Sequence, residues 1–197
     1  MMTSQGELRD IVFESLPPQG RWSEQEYLWL SEHSSRLIEF TDGYIEVLPM
    51  PTDKHQGISG LFYTAFRAHL APLGGVVRYS PLRLRLRIGK YREPDLLLLL
   101  DRNDPRRTDG AWFGADLVLE IISPDNPDRD LVEKRRDYAE AGIPEYWIVN
   151  PFDETIAVLR LEAGSYVEHG VFGRGLRATA VILPGFAVDV DAVFDAE

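Results

Sequence analysis

The spacing of apolar residues changes period several times along the chain, and each change marks an element. In SEQEYLWLS (23–31), Ser23 stands as an N-cap and Glu26 completes a capping box, which predicts a short helix. RLIEF-TDG-YIEVLP (36–49) has two alternating runs around Asp42-Gly43 and predicts a β-hairpin. From about Lys54 to Ala71, Ile58, Leu61, Phe62, Ala65, Phe66 and Leu70 recur at helical spacing, and Pro72, Gly74 and Gly75 end that helix. Strands are expected in VVRYS, in LRLRLRI with leucines on one face and arginines on the other, and in PDLLLLLD. A polar loop over 101–115 leads to the strand DLVLEII; the turn cluster SPDNPD and the helix RDLVEKRRDYAEAG, closed by Gly142, come next. EYWIVNP is a further buried strand, ETIAVLRLEAGSYVEHGVF a hairpin about Ala163-Gly164, and the C-terminal run a last strand with a short helical tail. The whole predicts a mixed sheet with helices before and after a central group of strands, α/β or α+β, in one domain over 1–197.

Within DLVLEIISP, Glu120 interrupts a strand whose other residues are apolar on both faces. An unpaired carboxylate there would cost several kcal/mol, on the order of desolvating one ion. A second acid, Asp95, opens the five-leucine run after Pro94. If these two strands pair as antiparallel neighbours, Asp95 and Glu120 meet, and each raises the pKa of the other. A divalent cation between them removes the conflict, and hard oxygen ligands favour Mg²⁺ or Mn²⁺. Of 21 basic residues only Lys54, Lys90 and Lys134 are lysines. On a wheel of the 131–142 helix, Lys134 falls inside the apolar arc of Leu131, Tyr138 and Ala141, while Glu133, Arg136, Asp137 and Glu140 lie opposite. An ammonium turned toward the sheet needs an anionic partner, which the carboxylate pair supplies. Acid, acid, metal and lysine suit phosphodiester hydrolysis.

Charge and composition narrow the partners. A net charge of −11 argues against an unselective nucleic-acid coat. Yet Arg83, Arg85, Arg87, Lys90 and Arg92 form a stretch without an acid and are candidate contacts to a DNA backbone, or else pair with the surplus acids. Trp112 and Phe113 are candidates to stack on a base or to pin their loop to the core. The absence of cysteine excludes a thiolate nucleophile, a disulfide framework and Cys-ligated zinc. No run approaches ~20 apolar residues, the opening MMTSQGELRD lacks a signal-peptide pattern, and a cytoplasmic protein without membrane contact or nucleotide cofactor is expected.

These motifs together resemble the bacterial "putative restriction endonuclease" family, formerly a domain of unknown function, of the PD-(D/E)XK nuclease superfamily. The matching residues are Pro94-Asp95, Glu120-Ile121-Ile122-Ser123, Asp130 with Lys134 and Tyr138, and GIPEYWIVNP. Glu39 with Asp42-Gly43, His55 and the closing LPGFAVDVDAVF also fit, so the likeness covers roughly 22–197, with 1–21 as an N-terminal extension. The resemblance implies a restriction-endonuclease-like mixed sheet with an N-terminal hairpin and a C-terminal β extension. It also implies Asp95, Glu120 and the carbonyl of Ile121 as metal ligands, with Glu39 and His55 as site neighbours. The usual (D/E)-x-K pattern would place lysine at 122; this chain has Ile122, and the likeness implies that Lys134 replaces it.

The expected function is a metal-dependent endonuclease acting on DNA, in a homodimer. The alternative is a catalytically silent binding or assembly module of the same fold, dimerising through a sheet edge or the C-terminal hairpin. A carboxylate-pair glycosidase is disfavoured, because such acids line wide aromatic clefts rather than dry strands.

Overall fold

The computed structural model describes residues 16–123 and 128–196; residues 1–15 of the expected extension and 124–127 of the expected SPDNPD turn lie outside them. Four helices and twelve strands follow one another among the described residues. Helix α1 (Glu24–His33) carries the expected capping box, with the Ser23 side chain accepting from Glu26 N and Glu26 accepting from Ser23 N. It packs on a four-stranded sheet in the order β2 (Tyr44–Val47), β1 (Ile38–Thr41), β5 (Lys90–Arg92), β4 (Leu84–Arg87). The β1–β2 turn holds Asp42 at φ 47° and Gly43 at φ 90°, the positive angles that an Asp-Gly hairpin uses.

The main sheet has six strands in the order β10 (Ser165–Phe172), β9 (Thr155–Glu162), β8 (Glu145–Asn150), β7 (Leu117–Ile121), β6 (Leu96–Leu99), β3 (Val76–Tyr79). All its pairings are antiparallel except β7 with β8, whose connection carries helix α3 (Lys134–Glu140). Because both faces are covered, β6 and β7 are buried throughout, which explains their continuous apolar runs. Leu117, Leu119 and Ile121 face α2 (Asp53–Leu70), whose Ile58, Phe62, Phe66 and Leu70 pack there with Trp147 and Phe186. Val118 and Ile122 point the other way, toward Tyr138 on α3, Tyr146 and Trp112, and the period of two puts Glu120 on that face.

The structure adds two strands to those expected and corrects the face of one helix. The strand expected in LRLRLRI is β4; it turns at Ile88-Gly89, with Gly89 at φ 78°, and returns as a further strand, β5, not among those expected. The C-terminal run AVILPGFAVDVDAVF holds the expected strand, β12 (Ala187–Asp189), and helical tail, α4 (Val190–Phe194), and β12 pairs with an additional strand before it, β11 (Arg177–Thr179). The wheel drawn for 131–142 also shifts, because Arg129–Glu133 form a π-helical turn ahead of α3. The wider turn moves Leu131 out to solvent, whereas Asp137 turns inward and is buried. Lys134 keeps the inward position expected of it.

Candidate active site

The β6–β7 register matches Leu96 with Leu119, so Asp95, one residue before β6, stands opposite Glu120. Ile121 N donates to Asp95 Oδ2 at 2.7 Å, and His55 Nε2 lies 3.1 Å from the same oxygen. His55 reaches it from the first turn of α2, where Thr52 caps the helix. Both acids, Lys134, Asp130, His55 and Glu93 line one cavity of ≈550 Å³.

Lys134 enters from α3 over the face that Glu120 presents. Its Nζ is 2.9 Å from Glu120 Oε2, 3.2 Å from Asp130 Oδ1 and 3.6 Å from Glu39 Oε1. The Tyr138 hydroxyl donates to the other Glu120 oxygen. Behind Lys134 the charges continue inward: Arg92 lies 3.4 Å from Glu39, and Arg92 and Lys90 meet Asp137 at 2.6 and 2.5 Å. Asp130 Oδ1 and Glu39 Oε2 are at ion-pair distance of a cation but lack a well-aligned hydrogen bond, so both retain acceptor capacity.

Burial is the largest influence on Glu120 and raises its pKa; Lys134 opposes the rise, while Asp95, Asp130 and Glu39 add to it. Asp130 is raised for the same reason, burial first, against the pull of Lys134 and Arg129. Burial works against the Lys134 ammonium, but Glu120, Glu39, Asp130 and Asp95 outweigh it and lift Lys134 above its ordinary value. Glu39 goes the other way: burial would raise it, and Lys134, Arg92 and the Glu93 N–H together hold it low. His55 loses by burial and gains more from its Asp95 partner, ending raised. The site therefore gathers more carboxyl groups than its neighbouring cations keep readily ionised.

Asp95, Glu120, Lys134, Glu39 and His55, all singled out from the sequence, converge here. Asp130, seen only as part of a motif, is a full member; the i,i+4 spacing to Lys134 was the signal for it. Glu93 was missed. It precedes Asp95 by two residues, the strand period, and burial followed by repulsion from Glu39 pushes it up to about 7.

The five cations expected on a DNA backbone are placed differently. Lys90 and Arg92 are interior, neutralised by Asp137 and Glu39, which corrects their assignment as surface contacts. Arg83, Arg85 and Arg87 pair with Glu32, Glu24 and Asp42, because α1 and the β1–β2 turn lie alongside β4. Trp112 is buried and pins its loop, whereas Phe113 is half-exposed beneath the Arg85 guanidinium.

Among the described residues, no helix is long and apolar enough to cross a membrane. No curated protein matches the chain. Among solved structures, the chain is similar to "a putative nuclease belonging to DUF820" from Anabaena variabilis ATCC 29413, with a TM-score of 0.73 and 20% identity. That match covers 88% of this chain and 97% of the other, so the two share a fold. The model of the Uma2 family, described as "Putative restriction endonuclease", matches residues 24–191, and it is to this family that the chain belongs.

Proposed function

We propose that the protein is a metal-dependent endonuclease that hydrolyses DNA phosphodiester bonds. The observation that carries this reading is the convergence of Asp95, Glu120 and Lys134 on one cavity. The donor set fits a hard divalent cation: two carboxylates whose charges oppose each other, with no nitrogen or sulfur ligand required. Among the described residues no three acidic or imidazole groups form a ready cage. Asp95, Glu120 and the Ile121 carbonyl would hold Mg²⁺ or Mn²⁺, with water and phosphate oxygens in the remaining positions. Such a cation, when bound, neutralises charge building on the phosphoryl oxygens and acidifies water. Lys134 holds a fixed positive charge against Glu120 and stabilises the anionic transition state. Tyr138 fixes the Glu120 rotamer, and Glu39 and Asp130 fix the ammonium.

One observation favours a second reading. Lys134 at 2.9 Å can balance Glu120 unaided, as a silent, homodimeric assembly module would require. Supercoiled-plasmid cleavage with Mg²⁺ or Mn²⁺ separates the two. Cleavage by the wild type that is lost in Asp95→Ala, in Lys134→Ala and with chelator is the expected result. A wild type that neither cleaves nor takes up Mg²⁺ in calorimetric titration overturns the nuclease reading.

A further inference from the structure

Since the arginines of β4 are neutralised, the charge a polyanion needs must come from elsewhere on a chain with 32 acids and 21 Lys and Arg residues. Four arginines meet this need. Arg67 in the last turns of α2, Arg78 on the edge strand β3, and Arg102 and Arg107 in the loop between β6 and β7 line one cavity of ≈300 Å³. None of the four pairs with a carboxylate among the described residues; three are anchored to carbonyls instead. Arg102 donates to Gly74 O and Ala71 O, Arg107 to Arg102 O, and Arg78 to Val77 O. Carbonyl anchoring fixes a guanidinium without cancelling its charge, and each has five N–H donors, so several remain for a phosphate.

Shared lining residues link this cavity to the catalytic one through a third. Tyr63, Arg78 and Arg107 also line a middle cleft of ≈370 Å³, and Tyr79 and Pro81 line both that cleft and the catalytic cavity. Asp109 is an acid in the wall of the middle cleft; the lining of the distal cavity has none. Tyr79 pairs with Leu96 across the sheet, and the next residue, Ser80, donates its N–H to the Asp95 carbonyl at 3.1 Å. Tyr79 is 54% exposed and packs edge-on against Tyr63 at 4.9 Å, leaving an aromatic surface between the arginines and the carboxylates. β3 spans about 10 Å at ~3.3 Å per residue, or roughly three nucleotide steps at ~3.4 Å each.

We propose that Arg67, Arg78, Arg102 and Arg107 are the track that holds the phosphates of the nucleic acid leading into the catalytic cavity. The proposal rests on the nuclease reading and adds where the substrate lies. A duplex or single strand follows the distal cavity and the cleft, and its backbone passes Tyr79 to reach Asp95 and Glu120.

The test is fluorescence anisotropy of labelled DNA, duplex and single-stranded, with the full chain in Ca²⁺ over a salt series. For the duplex, Arg67→Gln/Arg102→Gln/Arg107→Gln is expected to flatten the slope of log K against log[salt] by about 2–3, at ~0.9 per lost phosphate contact. Arg67 is exposed and its side chain bonds to none of the described residues, so Arg67→Glu leaves the fold intact and is expected to flatten the slope by about 1. The ion-paired control Arg83→Gln/Arg87→Gln leaves the slope unchanged. If the wild type binds and cleaves DNA but neither track variant changes the slope, the track is overturned and the nuclease stands. No DNA binding by the wild type overturns both. Binding to anionic phospholipid vesicles that Arg67→Glu abolishes, in a chain that ignores DNA, assigns the arginines to a lipid surface and overturns the proposal.

Discussion

Lys134→Met tests the charge arrangement of the site without relying on catalysis. Methionine keeps the length of the side chain and removes its charge, leaving Glu120, Asp130 and Glu39 facing one another at a position 3% exposed. The Coulomb attraction of the 2.9 Å pair with Glu120 alone is about 6 kcal/mol at an effective dielectric near 20. Desolvation of the ammonium offsets part of this, and breaking a buried pair from one side typically costs ~3–5 kcal/mol. At ~2–4 °C per kcal/mol for a chain of this size, Tm should fall by about 6–20 °C in EDTA.

Two further arms isolate the cause. Lys134→Met/Glu120→Gln removes both charges and should recover ~1–3 kcal/mol over Lys134→Met alone, because a missing pair is milder than an orphaned acid. Added Mg²⁺ should stabilise Lys134→Met at least as strongly as the wild type, ~2.7 kcal/mol at a hundredfold excess over Kd, since the ammonium no longer repels it. Chemical denaturation at neutral pH provides the measurement. Additive losses in the double variant, or a loss below ~1 kcal/mol in Lys134→Met, would refute the picture of an ammonium balancing surplus buried acid.

Two more expectations concern the frame around the site. Asp137 is raised by burial but more strongly lowered by Lys90 and Arg92, so its folded pKa lies below the ordinary carboxylate value. Such a group stabilises the fold above its unfolded value of ~3.9, and the contribution is lost as pH falls through the folded value. Asp137→Asn should therefore lose about 3 kcal/mol in urea unfolding at neutral pH, with the gap to the wild type narrowing steadily as pH drops below ~4; a constant gap would show that charge is not the cause. Gly43 sits at φ 90°, and a Cβ there would meet Gly20 O at 2.7 Å. Gly43→Ala should cost about 1–3 kcal/mol, seen as a lower Tm, and an unchanged Tm would mean the hairpin can open away from residue 20.

Much of the fold was legible because period and punctuation agreed. Asp42-Gly43 and Ala163-Gly164 mark hairpins whose turn residues all take positive φ. The leucine run read as a strand buried on two faces, and for Leu96–Leu99 α2 on one side with Trp112 and Tyr138 on the other supply that burial, while Leu100 is exposed. The return at Ile88-Gly89 has a signal of its own: basic residues fall at odd positions through Arg87 and at even ones from Lys90, so the alternation slips by one across the turn. The ends of that hairpin nonetheless meet different company: Arg87 an exposed acid, Lys90 and Arg92 a buried one. No local pattern separates these fates, since they depend on α3 and the β1–β2 turn arriving from distant sequence. The unpaired arginines were invisible for the same reason, being scattered over 67–107 and brought together only by the edge of the sheet.

The ammonium was legible where its helix was not, and the discrepancy is informative. Glu120 on β7 and Ile122 just beyond its end lie on the same side of the sheet, so a lysine at 122 would reach the carboxylate directly. In this chain that position is 3% exposed and belongs to the core under Tyr138 and Tyr146. Placing the charge on α3 frees the strand for packing, but it makes the ammonium depend on the phase of the helix. The π-helical turn at Arg129–Glu133 sets that phase: it turns Asp130 inward, leaves Leu131 in solvent and delivers Lys134 one α-turn later beside Glu120. π-helical turns are rare and frequently sit at functional sites. Asp130 and Lys134 would share a face of a regular helix as well; what the turn changes is their company, putting Leu131 in solvent and bringing Asp137 inward beside Lys90 and Arg92.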